Sequence, residues 1–311
     1  MVEVRPFDAA PDGTADPDER AVARTLADRS ERRDEHPALG EAVWLDLADP
    51  GAGSRGFAAS VPGIGDPVGY LRAVDRGSGD VECSMTVHPD HRDDDVPGAL
   101  LDAGIAHGRA IGATGVTLWV FGADVDADAL AAGRGLRVSR ELWQMRTLLP
   151  VAGRARFPAD VTVAPFRPGL DDVEWLAVNA RSFAADPDQG TWTSADLALR
   201  LTEAWFRADG FLVARRDGRI VGSCWTKIHP AAPPHEPHPL GEIYVIGVDP
   251  SAHGEGIGRA LVLAGLTHLH EHGLAVGMLF VDAANTPAVA LYRSLGFVTS
   301  RVDRAYRVAL A

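Results

Sequence analysis

The stretch Gly254-Glu255-Gly256-Ile257-Gly258-Arg259 joins an apolar, strand-like run ending at Val248 to an amphipathic helical pattern that opens near Gly258. At a helix N-terminus the backbone N–H groups point outward unpaired, and the helix dipole adds partial positive charge. Glycines there remove the Cβ atoms that would keep a phosphate from those amides, so the loop has the chemistry of a pyrophosphate cradle. A tight strand-to-helix turn is the plain structural alternative. No Gly-Lys-Ser/Thr follows, so it is not a P-loop, and the spacing is wrong for a dinucleotide site. Two proton-handling side chains lie on either side. Glu242 begins a strand that is otherwise apolar, and Tyr292 sits on the helical segment after Asn285. A carboxylate within reach takes a proton from a nucleophile, and a phenol of pKa ~10 gives one to a leaving group. A solvated glutamate and a core tyrosine are the corresponding bland readings.

The elements that must position these residues occur twice. Val87-His88-Pro89-Asp90-His91-Arg92 aligns with Val248-Asp249-Pro250-Ser251-Ala252-His253 at an offset of 161, and the same offset pairs Ala99-Leu100 with Ala260-Leu261, Gly135-Leu136 with Gly296-Phe297, and Ser139-Arg140 with Ser300-Arg301. A constant register across several loops means a shared architecture. Each half reads as an opening helical region (16–27; 170–184), then strands ending in 68–71 or 221–225. An apolar strand (81–87; 242–248), a turn and an amphipathic helix (98–112; 258–273) follow, and then a second strand (115–120; 276–281), a short helix and a closing strand (136–146; 297–308). The expected units are 1–150 and 160–311, with a Pro/Gly-containing linker over 149–160.

Length and composition agree. The 311 residues suggest two domains. With 46% hydrophobic and 23% charged residues there is no apolar run near the ~20 residues of a membrane span. The first ten residues lack a basic stretch leading into an apolar one, so a cytoplasmic protein is expected. The net charge of −13 argues against general affinity for nucleic acid or an anionic membrane. Residues 1–155 hold 26 acidic and 16 basic side chains and residues 156–311 hold 17 and 14, so a polyanion fits the second half better. Two cysteines, Cys83 and Cys224, make neither a disulfide framework nor a zinc site and read as buried, inert thiols. His229, His235 and His238 in a Pro-rich stretch read as loop, and His268, His270 and His272 as a polar helix end, so no metal is expected.

The ordered set of Val248-Asp249-Pro250, the glycine loop, Asn285 and Ala290-Leu291-Tyr292-Arg293-Ser294-Leu295-Gly296-Phe297 resembles the acetyl-CoA core of the GNAT family of N-acetyltransferases. The family's cradle reads Gln/Arg-x-x-Gly-x-Gly/Ala; His253, Gly256 and Gly258 occupy those places, with His253 a departure. The resemblance narrows through the tandem arrangement, Gly241 to Val248, Trp175 to Asn179, Pro187 to Gly190, Cys224 to Lys227 and Glu141 to Arg146. These look like the mycothiol synthases, which are built of two GNAT domains. The implied fold is α/β: two tandem GNAT domains, each a mixed, mostly antiparallel central sheet flanked by helices. The implied reaction is acetylation, from acetyl-CoA and without a metal, of the cysteinyl amine of a cysteine–glucosamine–inositol conjugate, by a monomer in an actinobacterial cytoplasm.

Carried over residue by residue, the resemblance implies Glu242 as general base and Tyr292 as general acid. It implies acetyl-CoA contacts at Ile246, Gly247 and Val248, at His253, Gly254, Glu255, Gly256, Ile257, Gly258 and Arg259, and at Asn285, Thr286, Pro287, Ala288, Val289 and Ala290. Amides near 246–248 would hold the thioester carbonyl. Substrate contacts fall on Glu41, Asp188, Lys227 (the chain's one lysine), Glu242 and Phe280, where Phe280 replaces an expected tyrosine and removes one hydroxyl. In the first half the loop becomes Arg92-Asp93-Asp94-Asp95-Val96-Pro97-Gly98, in which three carboxylates repel a pyrophosphate and Pro97 lacks an amide donor. Asn285 maps to Asp124 and Tyr292 to Ala131. The first domain is therefore expected to be mainly structural, lending Glu41 to substrate binding. On the residues alone, a tandem acetyltransferase for another small amine and a non-catalytic acyl-CoA sensor stay open.

Overall fold

Helix α1 (Pro17–Asp34) starts where the Asp16 carboxylate accepts the Asp18 amide and Pro17 takes the first turn, and it stops at Glu35, whose φ of 61° leaves the helical region. The computed structural model describes residues 1–7, 16–75, 77, 79–184, 189–231 and 236–310, and of Glu41 the backbone alone. Within it the chain falls into two compact units, Met1–Trp143 with Arg301–Ala311, and Gln144–Ser300.

The first unit contains β1 (Glu3–Pro6), α1, α2 (Glu41–Ala48), β2 (Arg55–Ser60), β3 (Gly69–Asp75), β4 (Asp80–Val87), α3 (Val96–Ala110), β5 (Gly115–Val120) and α4 (Val125–Gly133), and β6 (Arg137–Leu148) begins there. Its sheet runs β1-β2-β3-β4-β5 and then takes the end of the chain's last strand, from Arg304 to Ala309. All its pairings are antiparallel except β4 with β5. Leu71, Cys83, Leu100, Leu101 and Leu118 fill the core between α3 and the sheet. A second cluster under α1 and α2 encloses a polar network in which Arg72 bonds Asp46 Oδ2 and Glu19 Oε1, each at 2.7 Å, and Tyr70 donates to the same glutamate oxygen at 2.7 Å.

The second unit contains the rest of β6, β7 (Val161–Pro165), α5 (Asp172–Ser182), α6 (Ser194–Leu201), β8 (Phe211–Arg216), β9 (Arg219–His229), β10 (Leu240–Val248), α7 (Ile257–Glu271), β11 (Val276–Asp282) and α8 (Thr286–Ser294), and β12 (Val298–Ala309) begins there. Its order is β6-β11-β10-β9-β8-β7, with β10 and β11 parallel and β7 to β10 antiparallel. Each unit is thus a mixed, mostly antiparallel sheet flanked by helices. Helix α7 lies close on its sheet because Gly265 is bare: a Cβ there would stand 2.5 Å from Cys224 Sγ and 2.8 Å from Ile243 Cδ1. Aromatic rings fill the opposite face, with Phe211 stacked on Trp225 at 4.3 Å between centroids and on Phe166 at 4.2 Å.

The repeat holds in three dimensions, since α3 and α7 begin 161 residues apart, as do α4 and α8. The closing strands differ from expectation. β12, read as the end of the second half, pairs with β5 in the first unit. Tyr306 is 1% exposed in the first unit's core, while Arg307 bonds Asp80 and Arg304 bonds Asp128 and Glu141. Those apolar and charged partners select the strand that fits beside β5, which spacing along the chain does not reveal.

Candidate active site

Glu242 is the third residue of β10, directly across from Lys227 on β9, and it is 6% exposed. A carboxylate at that depth needs a partner. His229, next to the end of the same ladder, brings Nε2 within 2.6 Å of Glu242 Oε2. The β9–β10 register then slips by one residue between Ile243 and Val245, leaving Tyr244 as a bulge. On the other side, the β10–β11 rungs run from Gly241–Gly277 to Ile243–Leu279 and go no further, although both strands continue. The sheet therefore opens beyond Ile243. Ile246, Gly247 and Val248, all half-buried, line one edge, and Phe280 is the first residue past the last rung on the other.

That opening leads to the glycine loop. Asp249 ties the strand end down by accepting from the Ser251 amide and hydroxyl and from Arg181. Burial pushes its carboxyl up, but the Ser251 and Arg181 bonds hold it below the ordinary range. His253 donates from Nε2 to the Val248 carbonyl at 2.9 Å, so the residue that departs from the family pattern anchors the loop to its strand. Gly254 and Gly256 adopt φ of 81° and 83°, and a Cβ at either would meet nothing within 4 Å. Gly256 caps α7 without any side-chain hydrogen bond to the helix's first amides. Open space in front of uncapped amides fits a diphosphate. The Glu255 carboxylate inside the loop is paired with Arg216, whose other partner is Asp160. Arg259 donates to Ser294 Oγ at 2.7 Å and so ties α7 to α8.

Asn285 is exposed and caps α8 by accepting the Ala288 amide at 3.2 Å. Thr286, Pro287, Ala288, Val289 and Ala290 form the first turns of that helix, with Val289 buried. Tyr292, one turn on, is 5% exposed, and its ring lies 5.8 Å from that of Phe297. Burial, with a smaller contribution from Cys224, pushes its phenol well above the ordinary value, and its hydroxyl makes no hydrogen bond among the described residues. Ser182 Oγ, buried and also without a partner, lies 3.3 Å from where a Gly247 Cβ would stand.

Lys227 lies over the Trp205 ring at 4.5 Å and the Tyr244 ring at 5.3 Å. Arg200 caps the same aromatic group, bonding the Tyr244 hydroxyl at 3.0 Å and lying 3.9 Å over Trp192. A cation on aromatic faces beside a carboxylate suits a polar acceptor with hydroxyl groups. Of the expected substrate contacts, Glu242, Lys227 and Phe280 are found on adjacent strands of one unit. Asp188 lies outside the described residues, and so does the side chain of Glu41, whose backbone opens α2 after Gly40. His229, read from the sequence as loop, instead ends β9 and pairs with Glu242, while Trp205, Tyr244 and Arg200 were not read as site residues. The signal for His229 was the β9–β10 pairing, which brings the end of one strand back to the start of the next.

The first unit lacks these features at the matching places. β4 and β5 stay paired to Ser84–Trp119, two residues further by the 161 offset, and the β3–β4 ladder carries no bulge. Val81 and Ala131, both buried, replace Glu242 and Tyr292. Arg92, the counterpart of His253, is taken up by Asp34 and Ser30. Burial acts to raise the Asp34 carboxyl, yet Arg92 holds it below the ordinary range. The cavity there, about 510 Å³, is lined by Asp93, Asp94, Asp95, Asp124 and Asp126.

The profile of the acetyltransferase (GNAT) family matches residues 177–297, which span the opening, the loop and α8. The mycothiol acetyltransferase of Sanguibacter keddieii is 41% identical over 316 residues, covering 97% of this chain and 94% of its own length. Those of Streptomyces avermitilis (40%; 94% and 92%) and Thermobispora bispora (46% over 239 residues; 76% and 78%) are similar too. Among solved structures, a GCN5-related N-acetyltransferase from Sphaerobacter thermophilus superposes with a TM-score of 0.72 at 22% identity, covering 98% of this chain and 95% of that one. A tandem GNAT protein from the clavulanic acid biosynthesis pathway gives 0.70 at 19%, covering 99% and 98%. At those identities the two structures speak for the fold alone.

Proposed function

The chain belongs to the mycothiol acetyltransferases within the GNAT family, and from that membership we propose that it transfers the acetyl group of acetyl-CoA to the cysteinyl amine of a cysteine–glucosamine–inositol conjugate, giving mycothiol. The observation that carries the chemistry is Glu242, a buried carboxylate with a histidine partner at the mouth of the opening between β10 and β11.

In this reading Glu242, directly or through one water, takes a proton from the ammonium form of the acceptor, and His229 holds the carboxylate in position. The freed amine attacks the thioester carbonyl, and amides of residues 246–248 receive the charge that develops on its oxygen. When the tetrahedral intermediate collapses, the C–S bond breaks, the Tyr292 phenol gives its proton to the departing thiolate, and the attacking nitrogen gives up its second proton to solvent to leave the neutral amide. Burial keeps that phenol protonated across the neutral range. The diphosphate of acetyl-CoA lies on the loop from His253 to Arg259, against the uncapped N-terminus of α7. Lys227, with Trp205 and Tyr244 beneath it, receives hydroxyl groups of the acceptor. Glu41 and Asp188 join as the family correspondence indicates. The transfer itself calls on no metal.

The first unit has a structural role in this proposal, since its loop offers Asp93, Asp94 and Asp95 where a diphosphate would sit and its arginine is already paired. No helix among the described residues is long and apolar enough to cross a membrane. Incubation with acetyl-CoA and either the conjugate or a panel of small amines, with products read by mass spectrometry, tests the proposal. Acetylated conjugate that disappears with Glu242→Gln is the expected result; turnover on another amine only, or binding without turnover, overturns it.

A further inference from the structure

The C-terminal end of α7 carries a second group of chemically capable side chains that acetyl transfer does not use. Asp209, in the short turn before β8, His268 on α7, and His272, the C-cap one turn further along, each bring one potential ligand atom within 4.8 Å of the other two. Residues four apart on a helix share a face, so α7 with its cap supplies two nitrogens to one point and the turn supplies an oxygen.

Two details distinguish this group from an ordinary polar helix end. His272 Nδ1 donates to the His268 carbonyl at 2.8 Å, which fixes its tautomer and leaves the lone pair on Nε2, 3.6 Å from Asp209 Oδ2. A ring N–H held by a backbone carbonyl, with the lone pair of the other nitrogen turned toward a carboxylate, is the outer-shell arrangement of a metal-binding histidine, although Arg207 now donates to that lone pair at 3.2 Å. His268 Nε2 is buried and has no hydrogen-bond partner. It faces the chain just past Asp209, where a Cβ on Gly210 would stand 2.4 Å from Thr226 Oγ1 and 2.9 Å from this nitrogen. Helix capping and surface ion pairing do not account for the orphaned nitrogen.

We propose that Asp209, His268 Nε2 and His272 Nε2 form a site for a zinc-class divalent cation, with solvent as the fourth ligand. Zinc bonds of ~2.0–2.2 Å in a tetrahedron place neighbouring donors about 3.4 Å apart, close to the separation already present between the carboxylate and His272. Arg207 now fills the charge position, donating from one nitrogen to Asp209 Oδ2 at 2.9 Å and contacting His272 Nε2 at 3.2 Å. It is half exposed and swings into solvent when the ion arrives, so it competes with the metal without blocking the site. The bound ion clamps the segment before β8 to α7. That segment follows Trp205, whose ring lies beneath Lys227, so the clamp steadies the acceptor side of the site and takes no part in the transfer step.

Titration of the full chain with Zn²⁺ against a chromophoric chelator tests this, with unfolding midpoints measured with and without the ion. The wild type is expected to hold one equivalent and to melt higher with it. His268→Ala, Asp209→Asn and His272→Gln are each expected to weaken binding by at least the roughly 10- to 100-fold that losing an outer-shell partner costs, and Arg207→Ala to tighten it. His272→Gln sits at an exposed helix end and keeps the test valid if His268→Ala does not fold. No stoichiometric zinc on the wild type, or full retention in Asp209→Asn and His272→Gln, overturns the proposal. Both readouts are independent of acetyl transfer.

Discussion

His229 Nε2 and Glu242 Oε2 are 2.6 Å apart across the end of the β9–β10 ladder, and the carboxylate is 6% exposed. If Glu242 is the base, Glu242→Gln lowers kcat by about 10²–10⁴ while acetyl-CoA binding persists. His229→Gln gives a smaller loss in kcat with a displaced pH–rate profile, the mark of a positioning residue. Steady-state kinetics of both variants, beside calorimetric acetyl-CoA binding, check this.

Tyr292 gives a pH prediction of definite sign. Burial holds its phenol above the ordinary value of 10.0, so the protonated acid persists throughout the neutral and mildly alkaline range. Its contribution fades only above pH 10, and Tyr292→Phe lowers kcat at every lower pH instead of moving an alkaline limb. A pH–rate series on the two proteins makes the comparison, and equal rates at neutral pH would remove Tyr292 from the mechanism.

Acetyl-CoA stoichiometry separates the two units. One tight molecule per chain is expected by calorimetry, and two would contradict the reading of the first unit. Gly256→Ala places a Cβ on a residue at φ 83° and strains the loop by about 1–2 kcal/mol, weakening acetyl-CoA binding roughly 5- to 30-fold.

Arg72 serves stability. It is 2% exposed and neutralises both Glu19 and Asp46, so Arg72→Ala strands two buried carboxylates. A loss of about 3–5 kcal/mol is expected in urea unfolding. Native protein retains its acetyl-CoA affinity, because the network lies in the first unit.

Acid sensitivity follows from Asp34, Asp171 and Asp249. Burial opposes each charge, yet hydrogen bonds from Arg92, from Arg167 and Arg215, and from Ser251 and Arg181 hold all three below the ordinary 3.8. A depressed folded-state value means that the stabilisation is present above 3.8 and is lost as pH falls through and below it. Unfolding free energy measured downward from about pH 5 should decline steeply in that window, and Arg92→Gln should flatten part of the slope.

The repeat, the order of elements and the glycine loop were legible in the sequence because each is written locally. A left-handed glycine before an amphipathic helix and the Val-Asp-Pro turn declare themselves within a few residues. Glu242 stood out as a carboxylate in an apolar run, whereas Tyr292 was picked out by the family correspondence. Tertiary structure decided the rest. Whether the β10–β11 ladder stops at Ile243 depends on a one-residue slip against β9, and the partner of Glu242 depends on where β9 ends. β12 pairs with β5 because Tyr306, Arg304 and Arg307 find their core and their carboxylates there. Asp209 meets His268 and His272 only after some sixty intervening residues fold back. Spacing fixes neighbours along one helix or strand, whereas pairing across strands is set by which side chains can be buried and neutralised together.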